Sequence, residues 1–361
     1  MSAEKIEELL DEAYMLHHSP AKVALLEEAA RIADTVGEPP WSYGIRMEII
    51  ETGCFGGMHE KALVAFSWCL AAYDRDPEEY DEEDILWRYK WILDHMPAYP
   101  QISREQIVGM QDDFTRRLLA VDSSPRPAEY LRWSNLMRMG DLDQARGSYE
   151  RWKDQPEDWL EDCGACEADK TVELMIRLHR DDDAMKAAKP LLEGRMGCAE
   201  VPHLTYGNII RPLMRQGNDA DAATMLDKGY RMISGNSEFL RGVAEQFIFL
   251  ARTRDFRKGV PRLEKHLPWA VATSDIDAAQ RFYEAVGLLL EAMAKEGKKS
   301  QRRFRLPEQL PCTVEDEQYN VAELAGWFAS EAAKLADQFN RRNGNDYYTQ
   351  LTHENRELAR L

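Results

Sequence analysis

The chain has 361 residues, of which 44% are apolar and 30% charged, so it is long and apolar enough to bury a large core. Its formal net charge is −18, and a negative field of this size repels phosphate backbones, so we expect no nucleic-acid partner. It has no apolar run that spans a bilayer, and its N-terminus is acidic and amphipathic rather than a signal peptide. We therefore expect no membrane partner and a cytoplasmic location.

A recurring turn pattern is the main signal along the chain. In each copy a glycine is followed five positions later by alanine and nine positions later by a large apolar residue. The three clearest copies are Gly57, Ala62 and Phe66; Gly140, Ala145 and Tyr149; and Gly217, Ala222 and Leu226. Because glycine ends a helix and a small residue lets the next helix lie close, the pattern predicts stacked pairs of helices.

These copies resemble the tetratricopeptide repeat, with weaker copies in residues 85–119, 171–192, 239–266 and 278–294. The resemblance implies an all-α fold, a right-handed superhelical solenoid of helix pairs that occupies residues 1–304. Alternating strand patterns are nearly absent from the sequence, which agrees with an all-helical protein.

Three of the six cysteines and one of the eight histidines fall in two short segments, DCGAC at 162–166 and GCAEVPH at 197–203. Cys163 and Cys198 are 35 residues apart, close to the repeat length of about 34, which places the segments at equivalent turns of neighbouring repeats. Zinc takes four cysteine or histidine ligands in a structural site. We therefore predict one structural zinc held by Cys163, Cys166, Cys198 and His203.

Other interpretations of these cysteines remain open at this point. They include small buried or reactive thiols without metal, a redox dithiol and a catalytic metal. Redox motifs of this spacing normally sit on a strand-to-helix turn, which an all-helical chain lacks, and four protein ligands would leave no coordination position for water.

The C-terminal part departs from the repeat pattern. Residues 305–318 carry two prolines and are predicted to form a linker, and residues 319–361 are predicted to form a capping helix and tail. The apolar residues from Val321 to Phe339 recur at steps of three and four, as on a helix that covers the end of a solenoid, although a partner-binding helix is the alternative. The basic segment 295–305 is either a solvated loop or a docking patch for an acidic partner.

A second resemblance rests on the segments DCGACEAD, GCAEVPH and FNRRNG. Together they are similar to a group of uncharacterised bacterial tetratricopeptide-repeat proteins. This resemblance implies the fold and the motifs, and it implies no activity.

The sequence has no phosphate-binding glycine loop and no nucleophile elbow, so we predict that the protein is not an enzyme. The favoured function is an adaptor that binds a partner protein or peptide on the concave face of the solenoid. The alternatives are a regulator that senses a peptide or small molecule, and a metal-dependent enzyme.

Overall fold

A computed structural model describes residues 2–37, 39–297, 301–307, 310 and 318–361. The described chain is almost entirely helical, as the sequence predicts. It divides into two compact units, one made of Met1–Arg132 and Arg151–Leu160 and the other of Trp133–Glu150 and Glu161–Leu361. The division runs through α7 (Arg126–Arg138) and α8 (Leu142–Lys153). The prediction that residues 1–304 form one repeat region remains a prediction.

The first unit is built from helices that pack against their neighbours in the chain. Its aromatic core includes Phe66, Tyr89 and Phe114, whose side chains are fully buried. The helices before α7 are α1 (Ser2–Tyr14), α2 (Pro20–Val36), α3 (Pro39–Phe55), α4 (His59–Arg75), α5 (Glu82–His95) and α6 (Arg104–Ala120).

The second unit contains the predicted zinc ligands and most of the repeat copies. Its long central helix α16 (Ile276–Lys295) packs against both α14 (Leu240–Thr253) and α17 (Val321–Asn343). Phe247, Phe282 and Phe328 lie in the core between them. The helices after α8 are α9 (Gly164–Arg177), α10 (Asp181–Leu192), α11 (His203–Asn208), α12 (Ile210–Arg215), α13 (Asp219–Ile233), α14 (Leu240–Thr253), α15 (Phe256–Ala272), α16 (Ile276–Lys295), α17 (Val321–Asn343) and α18 (Tyr347–Ala359).

Side-chain contacts recur at one separation along the chain, close to the predicted repeat length. In the first unit Lys61 binds Glu27, which is 34 residues earlier. In the second unit Arg211 binds Glu245, again 34 residues away, and further pairs have similar separations. These pairs are His18 and Thr52, Ser123 and Asp158, Asp181 and Arg215, and Tyr230 and His266. Neighbouring helix pairs are therefore stacked within each unit; the handedness of a superhelix remains a prediction.

The turn glycines have the predicted conformation. Gly57, Gly140 and Gly217 have φ values of 72°, 86° and 73°, in the left-handed region that favours glycine. The alanines five positions later, Ala62, Ala145 and Ala222, are completely buried, as close helix packing requires.

The C-terminal part holds more ordered structure than a linker, a capping helix and a tail. A short antiparallel ladder joins β1 (Gln301–Arg303) to β2 (Gln318–Asn320), at the two edges of the predicted linker. Most of the linker, with Cys312, lies outside the described residues, as do Lys298 and Lys299 of the basic segment. The tail after α17 forms a further helix, α18, which Gly344 separates from α17 in a left-handed cap. No helix in the described ranges is long and apolar enough to cross a bilayer.

Candidate metal centre

The first cysteine pair lies at the start of α9. Cys163 is the N-cap residue, with the extended backbone that precedes a helix (φ −64°, ψ 148°), and Cys166 follows in the first turn. Residues three apart on a helical turn point in similar directions. As a result, the two Sγ atoms are 3.4 Å apart.

The third cysteine lies on the turn between α10 and α11. The backbone N–H of Cys198 donates to the carbonyl of Val201 at 2.9 Å and closes this turn just before α11 begins at His203. Sγ of Cys198 is 3.5 Å from Sγ of Cys166, and the three sulfurs all lie within 4.8 Å of one another. The structure therefore brings three of the four predicted ligands together.

Two kinds of contact hold the cysteine turns against each other. Ala165, Leu191 and Val201 form a small buried apolar cluster beneath the sulfurs, with part of Cys166 packed against it. Beside this cluster the hydroxyl of Thr205 donates to Asp169 at 2.5 Å. Burial raises the pKa of Asp169 to about 6, although the hydrogen bond from Thr205 opposes this shift. The turns are thus fixed by packing that does not depend on the cysteines alone.

The surroundings favour a thiolate at Cys163. Partial burial alone would raise the pKa of this thiol, but the backbone N–H groups of Cys166 and Ala165 and the thiols of Cys166 and Cys198 lower it below its ordinary value. Burial, followed by the two neighbouring thiols, raises the pKa of Cys166. A cluster in which one thiol ionises easily while another resists is typical of sulfurs that lie too close together to carry separate charges.

The other described cysteines differ from this cluster. Cys54 and Cys69 are buried in the first unit, and burial raises the pKa of each thiol to about 12. These residues have the environment of small apolar packing groups rather than of ligands. The cysteines in the cluster are instead partly or fully exposed, and none of the five forms a disulfide.

His203 does not join the sulfurs, so the predicted Cys₃His set is reduced to three cysteines. Its ring stacks on Phe239, with ring centroids 5.3 Å apart and planes 5° from parallel, and its Nδ1 atom is buried without a hydrogen-bond partner. Phe239 is one repeat length further along the chain, and His59 and His95 form a similar stack in the first unit. The sequence signal for this outcome was the aromatic residue at the equivalent place in the next repeat.

The three sulfurs fit a thiophilic metal ion in both chemistry and spacing. A tetrahedral zinc with Zn–S bonds of about 2.3 Å separates its sulfurs by about 3.8 Å. The observed separations of 3.4 and 3.5 Å are shorter by a few tenths of an ångström, which small side-chain rotations can supply. Within the described ranges, these cysteines are the one group of three or more potential ligands that converges in this way.

Comparisons with known proteins give no further assignment for this centre. No protein-family model matches the chain, and no curated protein is similar to it.

Proposed function

We propose that the protein is a helical-repeat scaffold of the tetratricopeptide type that binds a partner protein or peptide, with a zinc ion that stabilises its second unit. The observation that carries the zinc site is the convergence of Cys163, Cys166 and Cys198 from two turns one repeat apart. Zinc is the ion proposed because thiolates suit soft or borderline metals and because zinc needs no redox chemistry.

Zinc would join the start of α9 to the turn before α11. The unfolded chain does not hold three cysteines together, so the binding free energy of the ion contributes to folding. An ion present at a thousandfold excess over its dissociation constant adds about 4 kcal/mol to the free energy of unfolding. The fourth ligand in this proposal is solvent, because Cys163 and Cys198 are exposed and His203 is engaged with Phe239.

The test is metal analysis of protein purified under reducing conditions without a histidine tag. We expect about one zinc per chain, and we expect Cys163→Ser or Cys198→Ser to lose the ion and lower the melting temperature. Cys69→Ala is the matched control, because it removes a buried thiol far from the cluster in sequence and should retain zinc. Zinc well below one per chain in the unmodified protein contradicts the site and leaves the cysteines as free, reactive thiols.

His203→Ala tests the ligand set separately. Because the ring of His203 stacks on Phe239, we expect this variant to retain zinc at full stoichiometry. Loss of zinc from His203→Ala, with the fold intact by circular dichroism, would restore the four-ligand site that the sequence suggests.

A metal-dependent enzyme is the second candidate, since three protein ligands leave a coordination position for water or substrate. Cobalt in place of zinc makes this position visible by absorption spectroscopy. A spectrum that changes on addition of azide shows an exchangeable fourth position, which an enzyme requires and which the structural site with a solvent ligand also has. An unchanged spectrum excludes the enzyme and contradicts solvent as the fourth ligand.

The scaffold part of the proposal is supported by the stacked helix pairs, since such stacks form extended binding surfaces. Affinity capture from the native host, followed by mass spectrometry, tests it. We expect a partner protein present in stoichiometric amount, whereas a bound peptide or metabolite would favour the sensing regulator.

A further inference from the structure

The C-terminal helix α18 packs on the rest of the second unit in an unusual way. It lies against α12, α14 and α16, which belong to three consecutive helix pairs, and also against the preceding helix α17. Much of its contact is made by charged and hydrogen-bonding side chains. We call the residues of the other helices that bind these side chains and the end of α18 the α18-binding face. The face consists of Arg211, Arg215, Arg252, Asp277, Glu284 and Glu291.

Both ends of α18 form hydrogen bonds with other helices of the unit. At its start the hydroxyl of Tyr348 donates to Asp277 at 2.6 Å in a buried site. At its end the carbonyl oxygens of Leu358 and Ala359 accept hydrogen bonds from Arg252 and Arg254, each at 3.2 Å. Cationic side chains at a helix C-terminus satisfy carbonyls that the helix leaves unpaired and favour its dipole.

A row of hydrogen bonds and ion pairs binds the middle of α18. Asn355 accepts from Arg211 at 2.7 Å and donates to Glu284 at 2.8 Å, so one amide bridges two helices of the face. Beside it Glu354 pairs with Arg215 and Arg211. Burial alone would raise the pKa of Glu354, but these two arginines hold it at about 2.

Some side chains of the α18-binding face are oriented by contacts that do not involve α18. Arg211 also binds Glu245 at 2.6 Å, and Asp277 also binds Arg281 at 3.0 Å, so its key groups are oriented by neighbours within the stack. Side chains that their neighbours already orient lose less conformational freedom when a helix binds than free side chains do. The face therefore has the properties of a preorganised site for a helix.

The preceding helix α17 makes a different contact. It packs on α16 through apolar residues such as Leu324 and Phe328, as a second helix of a pair does. α18 adds apolar contacts of its own, because Leu358 and Ala359 join the same core and Tyr347 and Tyr348 pack beside Phe339 of α17. The outer side of α18, with Thr349, His353 and Glu357, is exposed.

We infer that α18 is an intramolecular occupant of a helix-binding face, and that this face is the partner-binding surface of the scaffold. The inference rests on the proposed scaffold function and names its surface, its partner and its regulation. The partner is a helix that ends close to its binding site and carries a tyrosine, then a glutamate and an asparagine about two turns later, as α18 does. In the chain alone, α18 closes the surface and the partner must displace it.

The test uses the full chain with Glu354→Arg, which places a third cation against Arg211 and Arg215 and should expel α18. The probe is a fluorescent synthetic peptide of residues 345–361 with the native sequence. We expect the peptide to bind the Glu354→Arg chain at least tenfold more tightly than it binds the unmodified chain, whose face is occupied. Glu357→Arg is the matched control, because it makes the same charge change on the exposed side of α18 and should bind the peptide as weakly as the unmodified chain does.

Three outcomes would overturn the inference. Equal, weak binding by Glu354→Arg with its helix content intact would mean that the face does not recognise a helix in trans. Unfolding of Glu354→Arg would mean that α18 is an integral part of the core rather than a displaceable occupant. A dimer of the unmodified chain that the peptide dissociates would identify α18 of a second copy as the occupant and would overturn the closure within one chain. The assay needs neither zinc nor the natural partner, so its failure leaves those proposals to their own tests.

Discussion

At the scale of single residues, His266 is a buried histidine whose surroundings oppose its charge. Its side chain is completely buried on α15, and its Nε2 lies 3.0 Å from the hydroxyl of Tyr230. Burial, followed by the positive charges of Lys265 and Arg262, lowers the pKa of His266 from 6.5 to about 4. The folded protein therefore keeps this ring neutral at a pH where an unfolded chain binds a proton.

This difference predicts a pH dependence of stability. Above pH 6.5 the ring is neutral in both states, and as the pH falls toward 4 only the unfolded state gains the proton, so stability is lost in that window. A shift of this size corresponds to about 3 kcal/mol. We expect His266→Gln, measured by urea unfolding between pH 7 and pH 4, to lose less stability on acidification than the unmodified protein. Parallel pH profiles for the two proteins would contradict a neutral His266.

At the scale of elements, alanine substitutions at two helix-ending glycines distinguish backbone strain from steric clash. An added Cβ at Gly217 meets nothing within 4 Å, so Gly217→Ala adds only the strain of a positive φ, which is roughly 1–2 kcal/mol. At Gly140 the φ is also positive, and an added Cβ would lie 2.3 Å from the Cβ of Tyr347 at the start of α18. Gly140→Ala therefore combines backbone strain with a clash between two elements.

We expect Gly140→Ala to lower the free energy of unfolding by about 2 kcal/mol more than Gly217→Ala, since overpacking typically costs 1–3 kcal/mol. Urea denaturation of the two variants, followed by far-ultraviolet circular dichroism, measures the difference. Equal losses would mean that Tyr347 moves aside freely, and the packing of α18 on this turn would then contribute little.

At the scale of the whole molecule, the net charge of −18 sets the expected behaviour toward polyanions. Phosphate contacts need lysine and arginine to displace counterions, and here acidic residues outnumber basic ones by 64 to 46. We expect no shift of duplex or single-stranded probes in a gel assay at physiological salt. Tight binding that weakens steeply with added salt would instead reveal a localised basic face, for which the segment 295–305 is the first candidate to neutralise by mutation.

Much of the architecture could be predicted from the sequence because it depends on local and periodic signals. The helix ends could be predicted because glycine adopts a left-handed backbone conformation that other residues avoid, as Gly57, Gly140 and Gly217 do. A fixed period also converts separation along the chain into adjacency in space, which is why Cys163 and Cys198 could be placed side by side. These features belong to the sequence alone.

Other features were decided by competition among non-local contacts, which periodicity does not encode. His203 had two possible partners, the cysteine sulfurs and the ring of Phe239, and the tertiary packing selected the ring. The position of α18 likewise depends on charged groups from three helices that meet only in the folded unit, such as Arg211, Arg252 and Asp277. Helices and turns follow from short-range backbone preferences. The choice between partners that lie equally far away along the chain is instead made by the packing of the whole unit.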